Sequence, residues 1–140
     1  MEKDTSQIVK ELGLCPNFRT FYDENKDYMI ASSLSQLLGQ LLENKGLKKS
    51  QVIRNAEFSE VYGYQIFSGL RVPERKKILC LAVGMGLNID ETQQLLKCAG
   101  YSQLYVKLPF DSVVLYGICK ELSVTQINEL LYEYGLETLG

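Results

Sequence analysis

The sequence predicts an all-α protein, and three observations carry that expectation. Apolar residues recur at three- and four-residue spacing, as in Leu34, Leu37, Leu38, Leu41 and Leu42. Serine, asparagine and glycine punctuate such segments where helix caps and stops belong. Strand-like alternation is scarce, and YVKL and SVVLYGI are the segments where helix and strand readings compete. About seven helices follow, in a length suited to one or two small units.

Taken in order, TSQIVKELG is a short candidate helix, and LCPNFRTFYDENKDYM mixes Pro, Asn, Asp and aromatics without a sustained period. Residues 1–31 therefore read as an extension, partly irregular, that packs through Phe18, Phe21 and Tyr22 or stays partly mobile. The leucine-rich helix follows, with Ser33 or Ser35 as cap and Gly46 as stop. In LKKSQVIRNAEF, Val52, Ile53 and Ala56 form an apolar edge too short to hold a helix without tertiary packing. Ser59 then caps a helix with Tyr62, Gly63 and Ile66 on one side and Glu60, Val61, Tyr64, Gln65 and Ser68 on the other. Pro73 suits the first turn of the next, whose wide apolar face includes Ile78, Leu79, Leu81, Ala82 and Met85. IDETQQLLKCAG starts at Asn88 or Asp90, with acids near its N-terminal dipole, and ends at Gly100. After a loop containing Pro109 come FDSVVLYGICKE and SVTQINELLYEYG, the second capped by Ser123 and stopped by Gly135.

Composition narrows the chemistry. The 140 residues are 46% hydrophobic and 23% charged, ordinary usage for a folded chain. Apolar runs fall well short of the roughly 20 residues of a membrane-spanning helix, so no membrane is expected as partner. The polar start MEKDTSQIVK does not offer a secretory signal, which makes a cytoplasmic location the expectation. The chain has no histidine and no CxxC pair, so Cys15, Cys80, Cys98 and Cys119 read as buried reduced thiols rather than metal ligands. The lack of histidine also removes Ser-His and Cys-His catalysis, and neighbouring acids such as Asp90 and Glu91 do not face one another on a helix. The expectation is no enzyme, no cofactor and no metal.

Five short helices in succession carry a resemblance. They run through LSQLLGQLLENKG, then LKKSQVIRNAEFSEVYGYQIFSG, then LRVPERKKILCLAVGMGLNIDET, with a tight NAEFS junction and an FSG end followed by a basic residue and proline. Over about residues 34–96 the chain resembles lambda-repressor-like helix-turn-helix regulators of the xenobiotic-response-element (XRE) type, a group of bacterial transcription regulators. The resemblance implies a DNA-binding domain over residues 32–100, a bundle of five helices. Residues 101–140 would be a C-terminal helical extension that packs on the bundle or mediates dimerisation. Residues 49–56 become the supporting helix and residues 59–67 the recognition helix, whose N-terminal part enters the major groove in this fold. That puts Glu60, Val61, Tyr64 and Gln65 nearest to base edges, and Lys48, Lys49, Arg71, Lys76 and Lys77 near phosphates.

The chain departs from the family's pattern at Gly63, where a branched apolar residue is usual and glycine costs about 1 kcal/mol of helix stability relative to alanine. It departs again at Glu60, whose carboxylate repels phosphate and is useful only as an acceptor from a cytosine amino group. Gln65 is the conventional reader, able to make a bidentate contact with adenine.

Charge bears on the same reading. Between Gly46 and Lys77 seven basic residues face three acids, a local excess of four positive charges in a chain whose net charge is −2. A basic island in an acidic body is the footprint of a face that meets phosphate. Nine tyrosines are spread along the chain rather than interleaved with basic residues, and Tyr64 alone is placed for nucleic-acid contact. The resemblance implies a sequence-specific regulator of double-stranded DNA, as a homodimer if paired half-sites are read. The alternative is a protein–protein adaptor that reuses the scaffold, or its C-terminal helices, without specific DNA binding.

Overall fold

The computed structural model describes residues 3–140, which form nine α-helices and one short 3-10 turn, with no strand among the described residues. Helix α1 (Thr5–Leu14) starts at a reciprocal capping box: Asp4 accepts from the Gln7 amide at 2.8 Å while Gln7 accepts from the Asp4 amide at 3.0 Å. Residues 14–29, expected to be irregular, instead hold α2 (Phe18–Asn25) and the 3-10 turn Lys26–Tyr28. Asn17 caps α2 by accepting from the Thr20 amide, and the helix turns Phe21 into the interior. The aromatic triplet at 18, 21 and 22 was itself helical spacing, hidden by its polar neighbours.

Helix α3 (Ile30–Lys45) begins earlier than either serine cap would place it and so crosses the expected boundary at residues 31 and 32. Ser35 is not a cap at all, because its hydroxyl donates to the Phe67 carbonyl at 2.6 Å and ties α3 to the end of α5 (Glu60–Ser68). Gly46 ends α3 in the left-handed conformation, with φ of 63°. Pro73 lies outside the next helix, and Glu74 occupies the cap position of α6 (Arg75–Gly84). The Pro73 carbonyl accepts from the Tyr101 hydroxyl, so the proline closes a loop rather than opening a helix. Pro109, expected in a loop, is the first residue of α8 (Pro109–Cys119), where its missing amide proton costs nothing.

Three helix pairs repeat one design: α4 (Lys49–Asn55) with α5, α6 with α7 (Ile89–Cys98), and α8 with α9 (Val124–Glu133). Each turn holds one residue at positive φ, namely Glu57, Gly86 or Glu121. The following apolar residue bonds its amide back five positions: Phe58 to Ile53 at 3.1 Å, Leu87 to Ala82 at 3.0 Å and Leu122 to Gly117 at 2.9 Å. Ser59, Asn88 and Ser123 then cap the second helix with their side chains. Asn88, not Asp90, is therefore the cap of α7, in a reciprocal box with Glu91.

Helix α6 lies at the centre of the core, with Ile78, Leu79, Leu81 and Ala82 fully buried against α4, α7 and α9. At its end, a Cβ on Gly84 would come within 2.9 Å of the Ala56 amide nitrogen, so glycine is what lets α4 and α6 approach. Asp111 is only 2% exposed; it takes both guanidinium ends of Arg75 at 3.0 and 3.1 Å and the Tyr105 amide at 2.9 Å. Arg75 also donates to the Ser102 and Gln103 carbonyls, which fastens the 101–108 loop to α6 and α8. The end of the chain turns back onto the body, burying Leu139 completely and satisfying its amide on Asn128 at 2.7 Å. Among the described residues, no helix is long and apolar enough to cross a membrane.

Candidate functional site

The junction of α4 and α5 combines a short turn, a tightly packed inner side and an unburied outer side. Gly63 faces α4, where a Cβ would lie 2.5 Å from Ile53 Cγ1, so the residue that weakens helix propensity is the one that seats α5 on α4. Ile66 and Phe67 complete the buried side, and Tyr62 packs edge-on against Phe58 with ring centroids 5.0 Å apart. The Ser59 hydroxyl accepts from the Tyr62 amide at 3.2 Å, and burial pushes the Tyr62 phenol above its ordinary pKa.

Glu60, Val61, Tyr64 and Gln65 occupy one continuous arc of α5, as helical geometry requires of positions i, i+1, i+4 and i+5. Val61 is 71% exposed and Tyr64 46%, with Glu60 and Ser68 also open and Gln65 half-buried at the edge of the arc. A valine and a tyrosine exposed side by side on a well-packed helix stand out from the charged surface around them.

The five cations expected near phosphates separate into two groups. Lys48 is exposed at the cap position of α4, and Lys49 sits over the Phe67 ring at 5.9 Å. Arg71 lies over the Tyr62 ring at 5.5 Å and donates from Nε to Gln65 Oε1 at 3.1 Å. Lys77 stands over Phe58 at 5.9 Å, beside the start of α5, with its Nζ against Gly140. Lys76, one position earlier on α6, points elsewhere: it pairs with Glu137 at 2.8 Å and lies over Phe110 of α8 at 5.6 Å. That pairing holds the Glu137 carboxyl below its ordinary pKa.

Arg54, one of the seven basic residues but given no contact of its own in the sequence, joins this region. It is exposed on α4 and, with Ser50 and Ile53, borders a shallow cleft of about 160 Å³ shared with Glu60 and Tyr64 of α5. Its position was available from the inward set Val52, Ile53 and Ala56, which leaves residue 54 facing out. Arg75, counted among the basic residues, is half-buried and committed to Asp111.

A larger open concavity of about 660 Å³ lies between the α6–α7 and α8–α9 turns, with Val83, Ile89 and Ile118 beside Asp90, Cys119 and Glu121. Among the described residues no three acids or cysteines come together in a way that could hold a metal ion. All four cysteines are free, but only Cys80 is fully buried, and burial pushes its thiol up to about 11; Cys119 is exposed, contrary to the expectation of a buried thiol.

No protein-family model matches the chain, and neither a curated protein nor a solved structure does.

Proposed function

We propose that the protein is a cytoplasmic bacterial transcription regulator that binds specific double-stranded DNA through α5, with α3 to α7 as a lambda-repressor-like five-helix bundle. The observation that carries this reading is the outward arc Glu60, Val61, Tyr64 and Gln65 on a short helix packed on α4, with Arg54 and Arg71 beside it and Lys48 and Lys49 at the start of α4. In this arrangement the flanking cations meet phosphates and fix register, while the arc meets base edges in the major groove. Glu60 accepts from a cytosine amino group, Val61 and Tyr64 make apolar contact with thymine methyls, and Gln65 addresses adenine. Two copies on paired half-sites give the homodimeric form of the same reading.

The test is a titration of fluorescent duplexes, the DNA upstream of its own gene against random sequence, at two salt concentrations. Tight, salt-dependent binding that favours the upstream duplex supports the reading, and no binding to either duplex at low salt removes it.

A second reading, a protein–protein adaptor, is favoured by α9 and its end, where Tyr132 is 81% exposed and Tyr134 70%. An adaptor would pass through heparin resin unretained and capture one protein of its host through the C-terminal helices.

A further inference from the structure

Gln65 and Arg71 were expected to act separately, one on a base and the other on a phosphate, yet the structure joins them. Arg71 Nε donates to Gln65 Oε1 at 3.1 Å. An arginine N–H can only donate, so the oxygen of the Gln65 amide must face Arg71 and the orientation of the amide follows without ambiguity. The pair has support beneath it. The guanidinium lies over Tyr62, Tyr62 is held edge-on by Phe58, and the Leu70 amide closes the turn between them by bonding to the Gln65 carbonyl at 3.0 Å. Among the described residues no further bond engages the Gln65 NH2 group.

We propose that Arg71 is a positioning residue: it locks the Gln65 amide in the one orientation that accepts an adenine edge and refuses a guanine edge. The proposal rests on the DNA reading above. Adenine offers N7 as acceptor and the N6 amino group as donor. The carboxamide oxygen has two lone pairs, so it can hold Arg71 with one and accept from N6 with the other, while the NH2 group donates to N7. Guanine offers acceptors at both N7 and O6. In the locked orientation the NH2 group can still serve N7 but the amide oxygen is set against O6, acceptor against acceptor; turning over to serve O6 would set the oxygen against N7 and the NH2 group against the Arg71 N–H, donor against donor. A lysine at residue 71 keeps the charge but has neither the planar fork nor the fixed Nε–H, so it cannot impose this orientation.

The experiment starts from the duplex that the wild-type protein selects from a randomised library. Wild type, Arg71→Lys, Arg71→Ala, Gln65→Ala and the Gln65→Ala/Arg71→Lys double variant are then titrated against every single base-pair change in that duplex. The expected result is one A·T pair whose change to G·C costs the wild type roughly tenfold or more in affinity. At that pair alone, Arg71→Lys discriminates less than wild type but no less than Gln65→Ala, its salt dependence stays that of wild type, and the double variant is no worse than Gln65→Ala. Full discrimination retained by Arg71→Lys, together with a uniform loss across all duplexes and a shallower salt slope for Arg71→Ala, would overturn the proposal and make Arg71 a phosphate contact only. A library that yields no preferred sequence would overturn the pairing and the DNA reading together.

Discussion

The α4–α5 and α8–α9 pairs are built alike and dressed differently. Both turns hold a glutamate at positive φ, Glu57 and Glu121, both capping residues are serines, Ser59 and Ser123, and both pairs close by setting an isoleucine on a glycine. In the first pair Ile53 of α4 covers Gly63 of α5, and in the second Ile127 of α9 covers Gly117 of α8. The outer surfaces diverge. Residues 46–71 expose four basic residues and two acids, whereas residues 109–135 expose one lysine and three acids, Asp111 being buried against Arg75. A polyanion is attracted to the first surface and repelled by the second. One backbone design therefore supports two different surfaces, and functional assignment has to come from the outward side chains.

The sharpest way to break the comparison is Asp111→Ala. It leaves Arg75, whose side chain is 24% exposed, and the Tyr105 amide without their carboxylate, and a loss of about 2–3 kcal/mol is expected in urea unfolding. Next come Gly63→Val and Gly117→Val, each of which pushes a branched side chain into an isoleucine and is expected to cost about 1–3 kcal/mol. Their stability losses should match while their effects on duplex binding differ: Gly63→Val displaces α5 and abolishes preference for a specific site, and Gly117→Val preserves it. A smaller contrast separates Lys49→Ala, which should lower the salt slope of DNA binding by about one, from Lys76→Ala, which should leave it unchanged.

The smallest effect concerns the cap of α7. The Glu91 carboxyl is held below its ordinary value of 4.5 first by its bond from the Asn88 amide and then by Lys45 at 3.1 Å. Its pKa is lower in the folded than in the unfolded chain, so this contribution is complete above about pH 4.5 and is lost as pH falls through the lower folded value. Wild type should therefore lose more stability than Glu91→Gln between pH 6 and pH 3, measured by thermal unfolding at each pH.

Much of this organisation was legible in the sequence. Helices α3 to α9 announce themselves through leucine spacing and through stops such as Gly46, Gly69, Gly100 and Gly135, because periodicity and left-handed caps are local properties. The split of α5 into Gly63 and Ile66 inward and Glu60, Val61 and Tyr64 outward also follows from helical geometry alone. Helix α2 was missed because its apolar residues are few and set among charges, leaving Asn17 as its main local signal. Tertiary facts were out of reach. Ser35 looks like a cap until Phe67 is beside it, and Lys76 and Lys77 are equivalent in sequence until Glu137 and Phe58 draw them apart. Gly63 read as a weakness because nothing local shows that Ile53 fills the space above it.

The measurement that tests the central claim most directly is amide chemical-shift mapping of the isotope-labelled 15.9 kDa chain during titration with its preferred duplex. The expected result is saturable, salt-sensitive shifts concentrated in residues 48–72, strongest at residues 60–65, with α8 and α9 unmoved. Shifts centred on α8 and α9, or none anywhere in the chain, would contradict it.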